Sequence, residues 1–83
     1  MILRWTIYET RSGRPRVGGR NDKAWLIPES PEEVKKLDEY KVRGHLTSCT
    51  GKSAIERNLE ALKETARAID PNFTEDPRVI RPD

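Results

Sequence analysis

The chain has little of what usually announces a function. One cysteine, Cys49, excludes an intramolecular disulfide, and with one histidine, His45, it leaves any zinc site dependent on carboxylates or a second copy. Apolar runs are only a few residues long, far below the ~20 that cross a bilayer. No N-terminal run has the charged, apolar and small-residue order of a signal peptide, so a soluble, cytoplasmic protein is expected. Apolar residues make up 34% against 36% charged, a balance near that of disordered chains, so folding rests on how the apolar residues are spaced. At 83 residues there is room for a single small domain, 1–83.

What the chain does have is basic charge in one place. Residues 1–27 hold six basic residues (Arg4, Arg11, Arg14, Arg16, Arg20, Lys23) against two acids, whereas residues 28–83 hold ten against twelve. The net +2 therefore hides a basic N-terminal third, where a polyanion would be drawn.

The spacing of apolar residues predicts a small two-layer α+β domain. It has an N-terminal antiparallel β-hairpin, extended to as many as three or four strands, packed against one long and one short helix. "ILRWTIYE", residues 2–9, alternates, with Leu3, Trp5 and Ile7 on one face, and reads as a strand. "KAWLIP", residues 23–28, reads as a second strand ended by Pro28, with Trp25 and Ile27 expected beside Trp5; both tryptophans read as core residues first and as stacking platforms for exposed bases second. Either Ser12-Gly13 turns the chain so that 14–17 begin the return with Gly18-Gly19 as a bulge, or 11–22 form one long loop.

A short helix over about 31–39 follows from Ser30 as N-cap, Pro31 at its first position and Glu33 as the partner of a capping box, with Val34 and Leu37 inward. Residues 40–46, "YKVRGHL", alternate like a third strand, the reading favoured here, although a helix stopping at Gly44 also fits. Ile55, Leu59, Leu62, Ala66 and Ile69 make a continuous stripe on a long helix, with Ser53 and Glu56 as a second capping box and Asp70-Pro71 as its end. Residues 71–83 form a proline-rich arm in which "RVI" can add an edge strand.

Four local patterns invite a chemical reading. "TRSGRPRVGGR", residues 10–20, holds four arginines and no acid. Its "GRPR" resembles the Gly-Arg-Pro centre of an AT-hook, with Ser12 where that family has an arginine, which implies a minor-groove contact. A basic hairpin can instead enter a groove as a ribbon or follow a phosphate backbone. "GHLTSCTGKS" ends like a P-loop, but position 46 is Leu where that motif needs glycine. What remains there is an anion site at a helix N-terminus, formed by Thr50, Lys52 and Ser53. His45 and Cys49 lack an orienting third group, and Glu56, Glu60 and Glu64 stand beside Lys63 and Arg67 as on an ordinary solvated helix face.

With no nucleophile, metal set or acid–base pair assembled, the expectation is a binding protein rather than an enzyme, without a cofactor or a membrane. Arg4, Arg11, Arg14, Arg16, Arg20 and Lys23 would contact nucleic acid or a nucleoprotein. The alternative is a compact adaptor or inhibitor, of mobile-element or anti-defence type, that binds a larger protein and no free nucleic acid. A homodimer through the apolar stripe is left open.

Overall fold

The alternating segment forms strand β1 (Ile2–Glu9), around which the computed structural model, describing residues 1–9, 15–17 and 23–80, is organised. The chain returns along one edge of β1 in two pieces, both antiparallel. Strand β2 (Pro15–Val17) pairs with the C-terminal part of β1, Ile7 opposite Val17, and β3 (Lys23–Ile27) pairs with the N-terminal part, Trp5 opposite Ala24. Two steps along β1, from Trp5 to Ile7, thus face seven steps on the returning chain. Of the two hairpin arrangements, the one formed has its return strand start before Gly18-Gly19; residues 10–14 and 18–22 lie outside the described residues.

Strand β4 (Ser48–Thr50) extends the sheet antiparallel to β3, and β5 (Thr74–Ile80) takes the whole other edge of β1 in parallel, Ile2 opposite Thr74 through Tyr8 opposite Ile80. The domain is α+β as expected. Its sheet, however, is mixed rather than antiparallel, because the "RVI" segment belongs to a longer strand that starts at Thr74. Among the described residues β5 pairs with β1 alone, and an outer strand of this kind tolerates Pro77.

A parallel partner requires a crossover connection, and here it carries two helices, α1 (Pro31–Val42) and α2 (Lys52–Ile69). Helix α2 packs on β1, β3 and β4, with α1 against α2. Met1, Leu3 and Trp5 from β1 and its start, with Ala24 and Leu26 from β3, form the sheet side of the core; Leu37, Ile55, Leu62, Ala66 and Ile69 form the helix side. Among the described residues no helix is long and apolar enough to cross a membrane.

Pairing register corrects one expectation with consequences for function. Trp5 faces Ala24, so the β3 residues that join it in the core are Ala24 and Leu26. Trp25, opposite Arg4, and Ile27, opposite Ile2, lie half-buried on the other face of the sheet. A one-residue difference in register exchanges the two faces of a strand, and the pattern A-W-L-I is apolar on both.

Residues 40–46 are not a strand. Helix α1 continues to Val42 and ends in a Schellman motif: Gly44 N–H donates to Lys41 C=O (3.1 Å) and His45 N–H to Tyr40 C=O (2.9 Å). Gly44, at φ 80°, supplies the left-handed residue this ending needs, and the His45 ring meets Tyr40 edge-on at 4.9 Å, closing the same turn. The longer helix also turns a different stripe inward. Leu37 is buried and Tyr40 packs on the core, whereas Val34, expected inside, is 45% exposed.

Ser30 caps α1 as its sequence implies, its Oγ accepting from Glu33 N–H at 3.2 Å, but the Glu33 carboxylate takes Glu29 N–H where the capping box expects Ser30 N–H. The Glu33 carboxylate reaches past the cap to Glu29 N–H (2.8 Å) and on to the Met1 ammonium. That ammonium is held by three carboxylates, Glu29 at 2.9 Å, Glu33 at 3.0 Å and Asp70 at 3.2 Å. Acidic side chains from the start of α1 and the end of α2 thereby gather at the end of the sheet where β1 begins.

Candidate functional site

The half of the sheet toward the C-terminus of β1, which itself ends on Glu9, carries several cations. Lys23 opens β3, exposed, directly across from Thr50, the last residue of β4. One residue later the chain enters α2, so Lys52 and Ser53 follow immediately, both exposed. Two patterns far apart in sequence, the basic N-terminal third and the Thr50-Lys52-Ser53 turn, are thus joined through a single backbone pairing. Arg78 on β5 is registered opposite Thr6 and is exposed on the far side of β1.

The beginning of α2 differs from its sequence reading in a way that bears on charge. The N-cap is Gly51 rather than Ser53, at φ 97° and ψ 147°, with no side-chain cap; the Ser53–Glu56 capping box does not form because Ser53 already lies inside the helix. Ile55 N–H donates to Gly51 C=O (2.9 Å), while the first-turn N–H groups before it have no intrahelical acceptor. With no acid in the first turn and Lys52 at the start, the positive end of the helix dipole adds to the local cations.

The basic residues of the N-terminal third are not equivalent. Arg4 Nε donates to Asp76 Oδ2 at 2.8 Å, and the Arg4–Asp76 ion pair ties β1 to β5 across their register. Arg4 is therefore a neutralised, positioning cation rather than a free one. Arg16 belongs to β2, its backbone opposite Tyr8. Arg11, Arg14 and Arg20 fall on residues 10–14 and 18–22, outside the described residues. Those segments leave from the end of β1 and re-enter at Lys23, the same end of the sheet as Lys23 and Arg78.

Beyond the cations, the sheet face turned away from the helices is ordered in rows by the register. One row runs Thr74, Ile2, Ile27; the next Asp76, Arg4, Trp25, Ser48. The third runs Arg78, Thr6, then Lys23 by one further step of the β1–β3 register, then Thr50. Thr6 Oγ1 is buried in this face without a hydrogen-bond partner among the described residues. Arg78 is the contributor that sequence reasoning missed, and Trp25, read first as a core residue and second as a stacking platform, is the one whose face it misplaced. The alternation Thr74, Asp76, Arg78 was a usable signal for Arg78, whereas the face of Trp25 depended on register.

The remaining candidates are absorbed by the fold. His45 closes the end of α1 against Tyr40. Cys49 is opposite Ala24 on β4, where burial pushes its thiol above the usual value, only partly offset by the Ala24 backbone. A thiol shifted that way is a poor nucleophile. On α2, Lys63 pairs with Glu60 (3.5 Å) and also reaches Glu75 of β5 (3.5 Å), its ammonium 5.9 Å from the centre of the Trp5 ring. It fastens the helix to the edge strand over the core tryptophan. No family model, curated protein or solved structure matches the chain.

Proposed function

We propose that this chain is a small non-enzymatic binding protein that holds nucleic acid, alone or within a nucleoprotein, at the basic end of its sheet. The observation that carries this reading is the register that sets Lys23 and Arg78 on either side of Thr6, with Lys52 two residues beyond Thr50, in the half of the sheet from which the arginine-bearing segments leave and to which they return. The acids that hold Met1 gather at the other end. A charge separation of this kind orients a polyanion before contact and makes phosphate the main ligand group. Arg11, Arg14, Arg16 and Arg20 supply bidentate donors to phosphate, and the uncapped first turn of α2 adds N–H groups beside Lys52. Arg4, committed to Asp76, supports the face.

The test is fluorescence anisotropy with labelled single- and double-stranded DNA and RNA at two salt concentrations. Wild type is compared with an Arg11/Arg14/Arg16/Arg20→Ala variant and a Lys23/Lys52/Arg78→Ala variant. Binding that weakens with salt and is reduced in both variants is the expected result. Binding indifferent to salt, or undiminished in both variants, would overturn the reading.

One observation favours the alternative of a protein partner. On α1, Val34 is 45% and Val42 89% exposed, two turns apart on one side of the helix. An adaptor using that side would form a stoichiometric complex lost on Val34/Val42→Ser substitution and insensitive to the arginine replacements.

A further inference from the structure

The sheet face opposite the helices carries apolar surface that the core does not use. Trp25 sits in its middle, half-buried, between Arg4 on β1 and Ser48 on β4, with Ile2 and Ile27 in the adjoining row. Among the described residues both helices lie on the other side of the sheet, where Leu3, Trp5, Ala24 and Leu26 meet them. A mid-sheet tryptophan with apolar neighbours is ordinarily the floor of a second layer, and among the described residues no helix or further sheet lies on its outer side.

The charges around it specify a ligand. Lys23 and Arg78 lie in the row beside Trp25, toward the basic end, while the one acid of the Trp25 row, Asp76, is already paired with Arg4. An apolar, aromatic floor flanked by cations complements a chain that alternates flat apolar rings with phosphates. A duplex hides its rings in the stack and offers this flat face only phosphates, whereas a single strand can lay bases on it. We propose that this face is a base-stacking platform, and that the polyanion it receives is single-stranded nucleic acid, a base lying on Trp25 while flanking phosphates reach Lys23 and Arg78.

The inference rests on the nucleic-acid reading above, and its test separates the two. A labelled oligothymidine and a duplex of equal length are titrated against wild type, Trp25→Leu and Trp25→Phe, each shown to be folded by circular dichroism. Leu keeps apolar bulk without a ring, and Phe keeps a ring. The expected result is preference of wild type for the single strand, a loss of roughly tenfold or more in Trp25→Leu, and most of the affinity kept in Trp25→Phe. Duplex binding and its salt dependence stay unchanged in both variants. In unsubstituted protein, the single strand should quench tryptophan emission and the duplex should not, since Trp5 is 8% exposed and Trp25 faces the ligand. Salt-sensitive binding that ignores Trp25→Leu, or that favours the duplex, would overturn this proposal and leave the electrostatic reading standing. No salt-sensitive binding to either ligand would overturn both.

Discussion

Removing the charge on the Met1 ammonium should destabilise the fold in a defined pH window. Three carboxylates surround this group, and its pKa rises from 8.0 to about 10: burial alone would lower it, but the hydrogen bonds it donates to Glu29, Glu33 and Asp70 outweigh burial. A raised amine pKa means that the folded state binds this proton more tightly. The stabilisation is complete below pH 8.0 and is lost as pH climbs through about 10. Unscreened, that difference is worth at most about 3 kcal/mol. Glu29 is 56% exposed, so solvent screening reduces the expectation to ~1–2 kcal/mol. For a domain of this size each kcal/mol moves Tm by roughly 4–8 °C. The assay is thermal unfolding by circular dichroism from below pH 8.0 to above pH 10, comparing free and α-amino-acetylated protein. The acetylated protein should be less stable at the low end and converge with the free protein at the high end, with other alkaline titrations common to both. A gap that does not close, or no gap at all, would refute the assignment.

The same cluster sets an acid limit. Glu33 is held below the usual carboxylate range by Glu29 N–H and then by the ammonium, and Asp70 by Asn72 N–H and then by the ammonium. Their contributions are complete above the ordinary values of 4.5 and 3.8 and are lost as pH falls through the lower folded values, so stability should decline there, measured by the same unfolding scan. Ser30→Ala should cost about 1 kcal/mol in urea unfolding through the lost α1 cap, whereas Ser53→Ala should cost a few tenths at most, because Gly51 starts α2. Equal costs would contradict the observed helix start. Gly51→Ala, forced to φ 97°, should destabilise by roughly 1–3 kcal/mol. Leu62→Ala, at 0% exposure between helix and sheet, should cost ~2–5 kcal/mol, read as a lower denaturation midpoint.

Sequence periodicity carried much of this architecture. The alternation around Trp5 and the stripe from Ile55 to Ile69 each have one apolar side, so their inward faces follow from spacing alone. Where a segment was apolar on both sides, as in Ala24-Trp25-Leu26-Ile27, only the pairing with β1 decides which side is core. "YKVRGHL" carries both a strand alternation and a glycine stop, and the bonds Gly44 and His45 make back into α1 decided between them. Strand β4 is too short and polar to stand out, and the parallel partnership of β5 joins residues more than seventy positions apart, beyond any local signal. Of the candidate site, the excess of basic residues was visible in the chain. The convergence of Lys23, Thr50 and Arg78, and the neutralisation of Arg4 by Asp76, required long-range register.

If the basic half of the sheet holds nucleic acid through phosphates, the salt dependence of binding reports it. Plotting the logarithm of the association constant for a single strand against the logarithm of salt concentration should give a steep negative slope for wild type. The slope should be shallower by roughly 0.7 for each phosphate-contacting cation removed from Lys23, Lys52 and Arg78. A wild-type slope near zero, or one unchanged when all three cations are replaced, would contradict the account.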